Sequence, residues 1–186
     1  MTDTPDEPHE PWNTLSRTPV VETPWLVLRQ DRVRTHTDVE ITYTYLERPE
    51  SVFVVPVTAR GEVVLLRQYR YPVRAWCWEV PAGAWDADED GVAAAARELK
   101  EEVGGVCQEM RSLGAFYSAN GVSNERFHVY LALGVTLGAN QLEHTELLHV
   151  VPLPRDEVLR MAHAGEITDG PSALALLLCE PHLAND

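Results

Sequence analysis

The chain has 186 residues, with 15 Lys and Arg against 29 Asp and Glu for a net charge of −14, and 45% of its residues are hydrophobic. A length of this order bounds it to one ordinary domain with its own core, and the hydrophobic share excludes a chain kept unfolded by its charge. An isoelectric point near 4.8 excludes nucleic acid or an anionic membrane surface as the main partner, because both are gripped through clustered Lys and Arg.

Residues 1–11 hold three prolines and four acids and read as a mobile tail that cannot support packing. Order is expected from Trp12. Trp25–Val33 and Val39–Leu46 alternate about a polar turn, and Ser51–Thr58 with Val63–Tyr69 flank Ala59-Arg60-Gly61-Glu62, so two β-hairpins are predicted. A strand Trp76–Val80 ends at Pro81, and Ala82-Gly83-Ala84 is expected as a loop into a helix from about Glu89 to Val103. Asp88 or Asp90 would cap that helix, Gly104 would take the left-handed position after it, and Val92, Ala95, Leu99 and Val103 form its apolar stripe.

Strands near Cys107–Tyr117, Phe127–Leu133 and Leu147–Leu153 follow, then helices near Arg155–Ala164 and Pro171–Leu178. The order predicts an α/β fold, a mixed sheet sandwiched by helices. Cys77, Cys107 and Cys179 fall in no CxxC spacing and imply no disulfide framework, which makes the cytoplasm the expected compartment. The N-terminus lacks a basic-then-apolar export pattern, and the apolar run Ala173–Cys179 is too short to span a bilayer.

The helix carries Arg97-Glu98-Leu99-Lys100-Glu101-Glu102. Glutamates at i, i+3 and i+4 share one flank, beside the Leu99 stripe and partly shielded from water, where like charges repel by roughly 0.2–0.5 kcal/mol per pair. Something positive should compensate. Arg97 can neutralise one carboxylate, and the remaining oxygens suit a hard cation such as Mg²⁺, held by one or two carboxylates plus substrate phosphates. The spacing alone describes a solvated acidic face first and a metal site second. Charge is also segregated. Residues 60–74 hold four arginines against Glu62, whereas residues 86–102 hold seven acids against two bases. A cationic strand end beside an acidic helix suits a metal ion that also takes substrate phosphates, with Arg70 first and Arg67 second as phosphate forks. The alternative is surface charge on an edge strand.

Gly83, five residues, Glu89, seven residues, then Arg97-Glu98-Leu99-x-Glu101-Glu102-x-Gly104 resembles the signature of the Nudix hydrolase family, with Gly105 where an aliphatic residue usually follows. Arg67-Gln68-Tyr69-Arg70, Trp78-Glu79-Val80-Pro81-Ala82-Gly83 and Gly165–Gly170 resemble the ADP-ribose pyrophosphatase-like branch. The resemblance implies a Nudix-type α/β/α sandwich over 51–186, an antiparallel β region over 12–50 that pairs in a homodimer, and Mg²⁺-dependent (or Mn²⁺-dependent) hydrolysis of a nucleoside diphosphate sugar.

By the same resemblance Glu98 and Glu102 are metal ligands, Glu101 a ligand directly or through water, and the Ala82 carbonyl a further one. Arg97 orients a helix glutamate, Glu89 is an acid at the start of the helix, and Gly83 is a turn glycine. Glu146, with Glu143 as fallback, supplies the base from the loop before Leu147–Leu153. Glu79 contacts the terminal sugar or caps the adjacent loop. Trp25 stacks on the nucleobase or is an ordinary buried strand tryptophan. Trp76 and Trp78 read as core, and His144 and His149 as a loop and a strand residue. ADP-ribose-specific members usually carry a proline where Ala119 and Asn120 stand, which implies a broader nucleoside diphosphate preference. The rival implications are a dinucleoside polyphosphate, CoA-derivative or nucleoside triphosphate hydrolase, or a non-catalytic nucleotide sensor.

Overall fold

The computed structural model describes residues 10–85, 88–142 and 145–183, so the acidic tail through residue 9, Glu143 and His144 lie outside the described residues. The chain divides into two compact units, one running up to Arg48 together with Ala119–Glu125, the other comprising Pro49–Ser118 and the residues from Arg126 onward.

The first unit is an antiparallel sheet of β1 (Asn13–Glu22), β2 (Val27–Arg34) and β3 (Glu40–Glu47), in that order. The expected hairpin is β2–β3. Strand β1 has no counterpart in the sequence reading, because every one of its residues is exposed and Pro19 interrupts it, which leaves no hydrophobic alternation to find. Backbone pairing to β2 holds it, with irregularities at Thr14/Ser16 and Pro19/Val21. Trp25 stands in the turn between β1 and β2 and is 73% exposed, which corrects its reading as a buried strand residue. The Ala119–Glu125 segment clasps β3: Leu46 N–H donates to Val122 O, Asn124 N–H to Leu46 O, and Tyr43 Oη–H to Gly121 O.

The second unit is a mixed sheet, helix-covered on both faces. Its strands are β4 (Ser51–Thr58), β5 (Glu62–Arg70), β6 (Ala75–Glu79), β7 (Ala82–Ala84), β8 (Glu109–Tyr117), β9 (Arg126–Val135) and β10 (Leu148–Pro154), and its α-helices are α1 (Gly91–Val103), α2 (Arg155–His163) and α3 (Gly170–Cys179), with a short 3₁₀ turn after α3. The main order is β10-β5-β4-β9-β8, with β4 and β9 parallel and the other pairs antiparallel. Period-two alternation divides the core. Val55, Val57, Val63 and Leu65 join Val158, Met161, Ala175 and Leu176 of α2 and α3. Val52, Val54, Val64 and Leu66 join Ala94, Ala95, Leu99 and Val103 of α1.

One irregularity of this sheet positions the acidic helix and the basic strand end. Strands β4 and β5 pair beside their turn, at Val57↔Val63. Beyond it β6 pairs along β5 while β7 pairs along β4. The chain from Ala75 to Ala84 therefore crosses the opening between two splayed strands. Ala82-Gly83-Ala84, expected as a loop, is the strand that completes this crossing.

Candidate active site

Helix α1 begins two residues later than predicted, because Asp90 takes the capping position and its Oδ1 accepts the N–H of Ala93 at 2.8 Å. It ends at Gly104, φ +62°, where a Cβ would also come within 2.4 Å of Gly138 backbone; a side chain is excluded by conformation and by space. The buried stripe is Ala94, Ala95, Leu99 and Val103, and Val92 is half exposed. Helical spacing puts Glu98 and Glu102 one turn apart beside this stripe, and both are buried, at 8% and 3% exposure. Glu101 lies further round and its side chain is more open.

Burying a carboxylate disfavours its charged form. Desolvation accordingly raises the pKa of Glu98 above the usual carboxylate value against the opposing pull of Arg97, and raises that of Glu102 further against a hydrogen bond from Ala82 N–H. The negative charge of Glu146 pushes both the same way. Arg97 is the hub of the outer side. Its Nε and Nη2 donate to Glu89, its Nη1 to Glu98 Oε1 at 2.6 Å and Glu101 Oε2 at 3.1 Å, and its Nη2 also to Ala84 O. Glu89 therefore precedes the helix and acts by holding Arg97, and Glu89 first, with Glu98, raises the guanidinium pKa. Gly83 is in the pleat of β7, with no positive φ; a Cβ there would meet Glu98 Oε1 at 2.1 Å. It makes room for the carboxylate instead of making a turn.

Across the splay stands Arg70, whose Nε and Nη2 fork onto Glu79 at 2.5–3.1 Å. Glu79 is buried at 4% exposure and holds the arginine. The Arg70 pKa is raised first by Glu79, with Glu102 and Asp169 adding to it. Pairing of β5 with β10 continues past the strand through Tyr69 N–H to Leu147 O, so the next row sets Arg70 opposite Glu146. The sheet thus brings Glu98, Glu102, Glu146 and Arg70 to the α1 face. It does not bring Arg67 there. Strand alternation turns Arg67 to the α2–α3 face, where its guanidinium carbon lies 4.9 Å over the centre of the Trp78 ring. Trp78 is partly buried against that core, whereas Trp76 is exposed and stacks on His149, a residue of β10.

Two supports had weak sequence signals. Ser172 Oγ accepts Val80 N–H at 3.1 Å while its own N–H donates to Asp169 Oδ2, tying the start of α3 to the crossing. The Asp-Gly-Pro-Ser run could have announced a capped helix, but not its target. Trp85 donates Nε1–H to Glu89 O and packs edge-on against His128.

The donor chemistry fits a divalent cation. Two buried carboxylates with raised pKa values, a third beside them and Glu146 nearby form more negative charge than Arg97 and Arg70 offset. Among the described residues no three His, Cys, Asp or Glu side chains form a ready-made cage. Mg²⁺ seldom needs one, since it keeps several waters and takes one or two carboxylates plus phosphate oxygens.

Residues 47–172 match the NUDIX domain family. Over 133 residues the chain is 30% identical to an ADP-ribose pyrophosphatase of Bacillus subtilis, covering 70% of this chain and 72% of that protein. It is 32% identical over 133 residues to a methanol dehydrogenase activator of Bacillus methanolicus, with the same coverage. A crystal structure titled as an ADP compounds hydrolase superposes with a TM-score of 0.82 at 20% identity, covering 95% of this chain and 96% of that one, which shows the shared fold.

Proposed function

The chain belongs to the Nudix hydrolase family, and from that premise we propose that it is a pyrophosphohydrolase which cleaves the diphosphate of a nucleoside diphosphate sugar. ADP-ribose is the leading substrate, and the products are a nucleoside monophosphate and a sugar phosphate. The observation that carries the reading is the gathering of Glu98, Glu102, Glu146 and Arg70 on one face, where the charges of Glu98, Glu146 and Arg70 all bear on Glu102.

In this reading Glu98, Glu102, Glu101 and the carbonyl of Ala82 hold Mg²⁺, with Mn²⁺ as a substitute. An ion held there would supply Lewis-acid polarisation of the phosphates and a water of lowered pKa. Arg97, fixed by Glu89, keeps Glu98 and Glu101 in orientation. Arg70 offers guanidinium donors to the phosphates while Glu79 holds it, and Glu146 takes the proton of the attacking water. Trp25, exposed in its turn, stacks on the nucleobase. Its place in the first unit makes a homodimer through β1–β3 the assembly we infer, supported by exposed Leu15, Val20 and Val21 on β1. No described helix is long and apolar enough to cross a membrane; the compartment we propose is the cytoplasm.

One relative bears an activator's name, the observation that favours a nucleotide-sensing role. The intact set of helix glutamates favours turnover. The test is a panel of nucleoside diphosphate sugars, dinucleoside polyphosphates, CoA derivatives and triphosphates with Mg²⁺ and Mn²⁺, with products identified by mass. ADP-ribose giving AMP and ribose 5-phosphate supports the proposal. Binding with no product would overturn it in favour of sensing.

A further inference from the structure

Among the described residues two buried side-chain atoms lack a hydrogen-bond partner, Asp31 Oδ1 in the first unit and Gln68 Oε1 in the second. Gln68 is 5% exposed. A buried acceptor with no donor is destabilising, and it is the kind of defect that persists where a second arrangement uses the atom.

The register says which arrangement. Across β5 and β6, Leu66 faces Glu79, Gln68 faces Cys77 and Arg70 faces Ala75, and directly opposed residues share a face. Leu66 belongs to the α1-side core, so Glu79, Gln68, Cys77 and Arg70 all lie on that side. To reach Glu79, the Arg70 side chain must pass the Gln68–Cys77 row, which lies between them. The row that carries the orphan carbonyl therefore lies between the base of the Arg70 side chain and its partner Glu79. In the seat seen here the fork gives Nε–H and Nη2–H to Glu79.

Resting on the reading of Arg70 as a phosphate ligand, we propose that Arg70 has a second seat and that Gln68 is its positioning residue. When a diphosphate draws the guanidinium outward, one N–H stays on Glu79, one passes to Gln68 Oε1, and the others turn to phosphate. Five donors are available on a planar frame, so neither the buried Glu79 nor Gln68 is left unpaired. The acceptor unsatisfied in the first seat lowers the cost of leaving it.

The experiment compares wild type, Gln68→Met, Arg70→Lys and the double variant by calorimetric binding of inorganic pyrophosphate in Mg²⁺, with thermal unfolding of the ligand-free proteins. Met keeps the volume and removes the acceptor. The expected result is a melting temperature at or above wild type for Gln68→Met and about tenfold weaker pyrophosphate binding. In the double variant the two losses should be clearly less than multiplicative, since both act on one seat. With a hydrolysed substrate, the Gln68→Met loss should fall on KM more than on kcat. Unchanged pyrophosphate binding, fully multiplicative losses, or a marked fall in melting temperature would each overturn the proposal. Pyrophosphate keeps this distinct from substrate identity: failure to hydrolyse ADP-ribose would sink the functional reading while these outcomes still decide the role of Gln68.

Discussion

Helix α1 and strand β5 deliver opposite charges to the same face of the sheet, and they do it by different geometry. On α1, residues spaced by three and four converge, so a short acidic run becomes a cluster: Glu98 and Glu102 are buried side by side and Glu101 flanks them. On β5, alternate residues diverge, so a basic run is divided between two faces. Arg70 joins the cluster and Arg67 covers Trp78 on the far side. Charge density along a sequence therefore reports a site on a helix more faithfully than on a strand, where only half of the charges can reach it.

The sharpest test of the helical half is Glu102→Gln, or Glu98→Gln. Either should lower kcat/KM by about 10³-fold or more, roughly 4 kcal/mol of transition-state stabilisation; a variant within tenfold of wild type would break the assignment. Next is Glu146→Gln, expected to lower kcat by about 10²-fold with little change in KM, as loss of a general base does. A rate near wild type would move the base to another residue. On the strand, Arg70→Lys should raise KM by about tenfold or more, because an ammonium cannot reproduce the planar fork. Arg67→Lys is the matched control, expected within about threefold of wild type in both constants. If the two lysine variants behaved alike, the division of the basic run would have no functional meaning.

The pH dependence sharpens the same contrast. Because burial raises the pKa values of Glu98 and Glu102, the metal-free native chain binds more protons than the unfolded chain at pH values above the ordinary carboxylate range. Stability contributed by these groups is then present at low pH and lost as pH rises toward neutrality. Melting temperature in chelator should fall over that interval, and the fall should shrink in Glu102→Gln.

Much of this was legible in the sequence, and the exceptions have physical causes. The glycine–glutamate spacing located α1 and the acidic cluster it carries because a helix converts spacing into geometry directly. The fork between Arg70 and Glu79 was not legible, since it depends on the β5–β6 register. Neither was β1, which buries nothing, nor the grip of Ser172 on Val80, which joins residues far apart in the chain. Gly83 was expected in a turn, whereas it lies in strand β7 and the space it leaves is filled by Glu98.

Whether the buried α1 carboxylates form an anionic site completed by a divalent ion is decided by thermal unfolding of wild type and Glu102→Gln near neutral pH, each in chelator and in Mg²⁺. Wild type should gain melting temperature on adding Mg²⁺. Glu102→Gln should melt higher than wild type in chelator, by about 2–4 °C for each kcal/mol of relieved repulsion and desolvation, and should gain little from Mg²⁺. A wild type indifferent to Mg²⁺, or a variant that melts lower in chelator and gains as much from the ion as wild type does, would contradict the account.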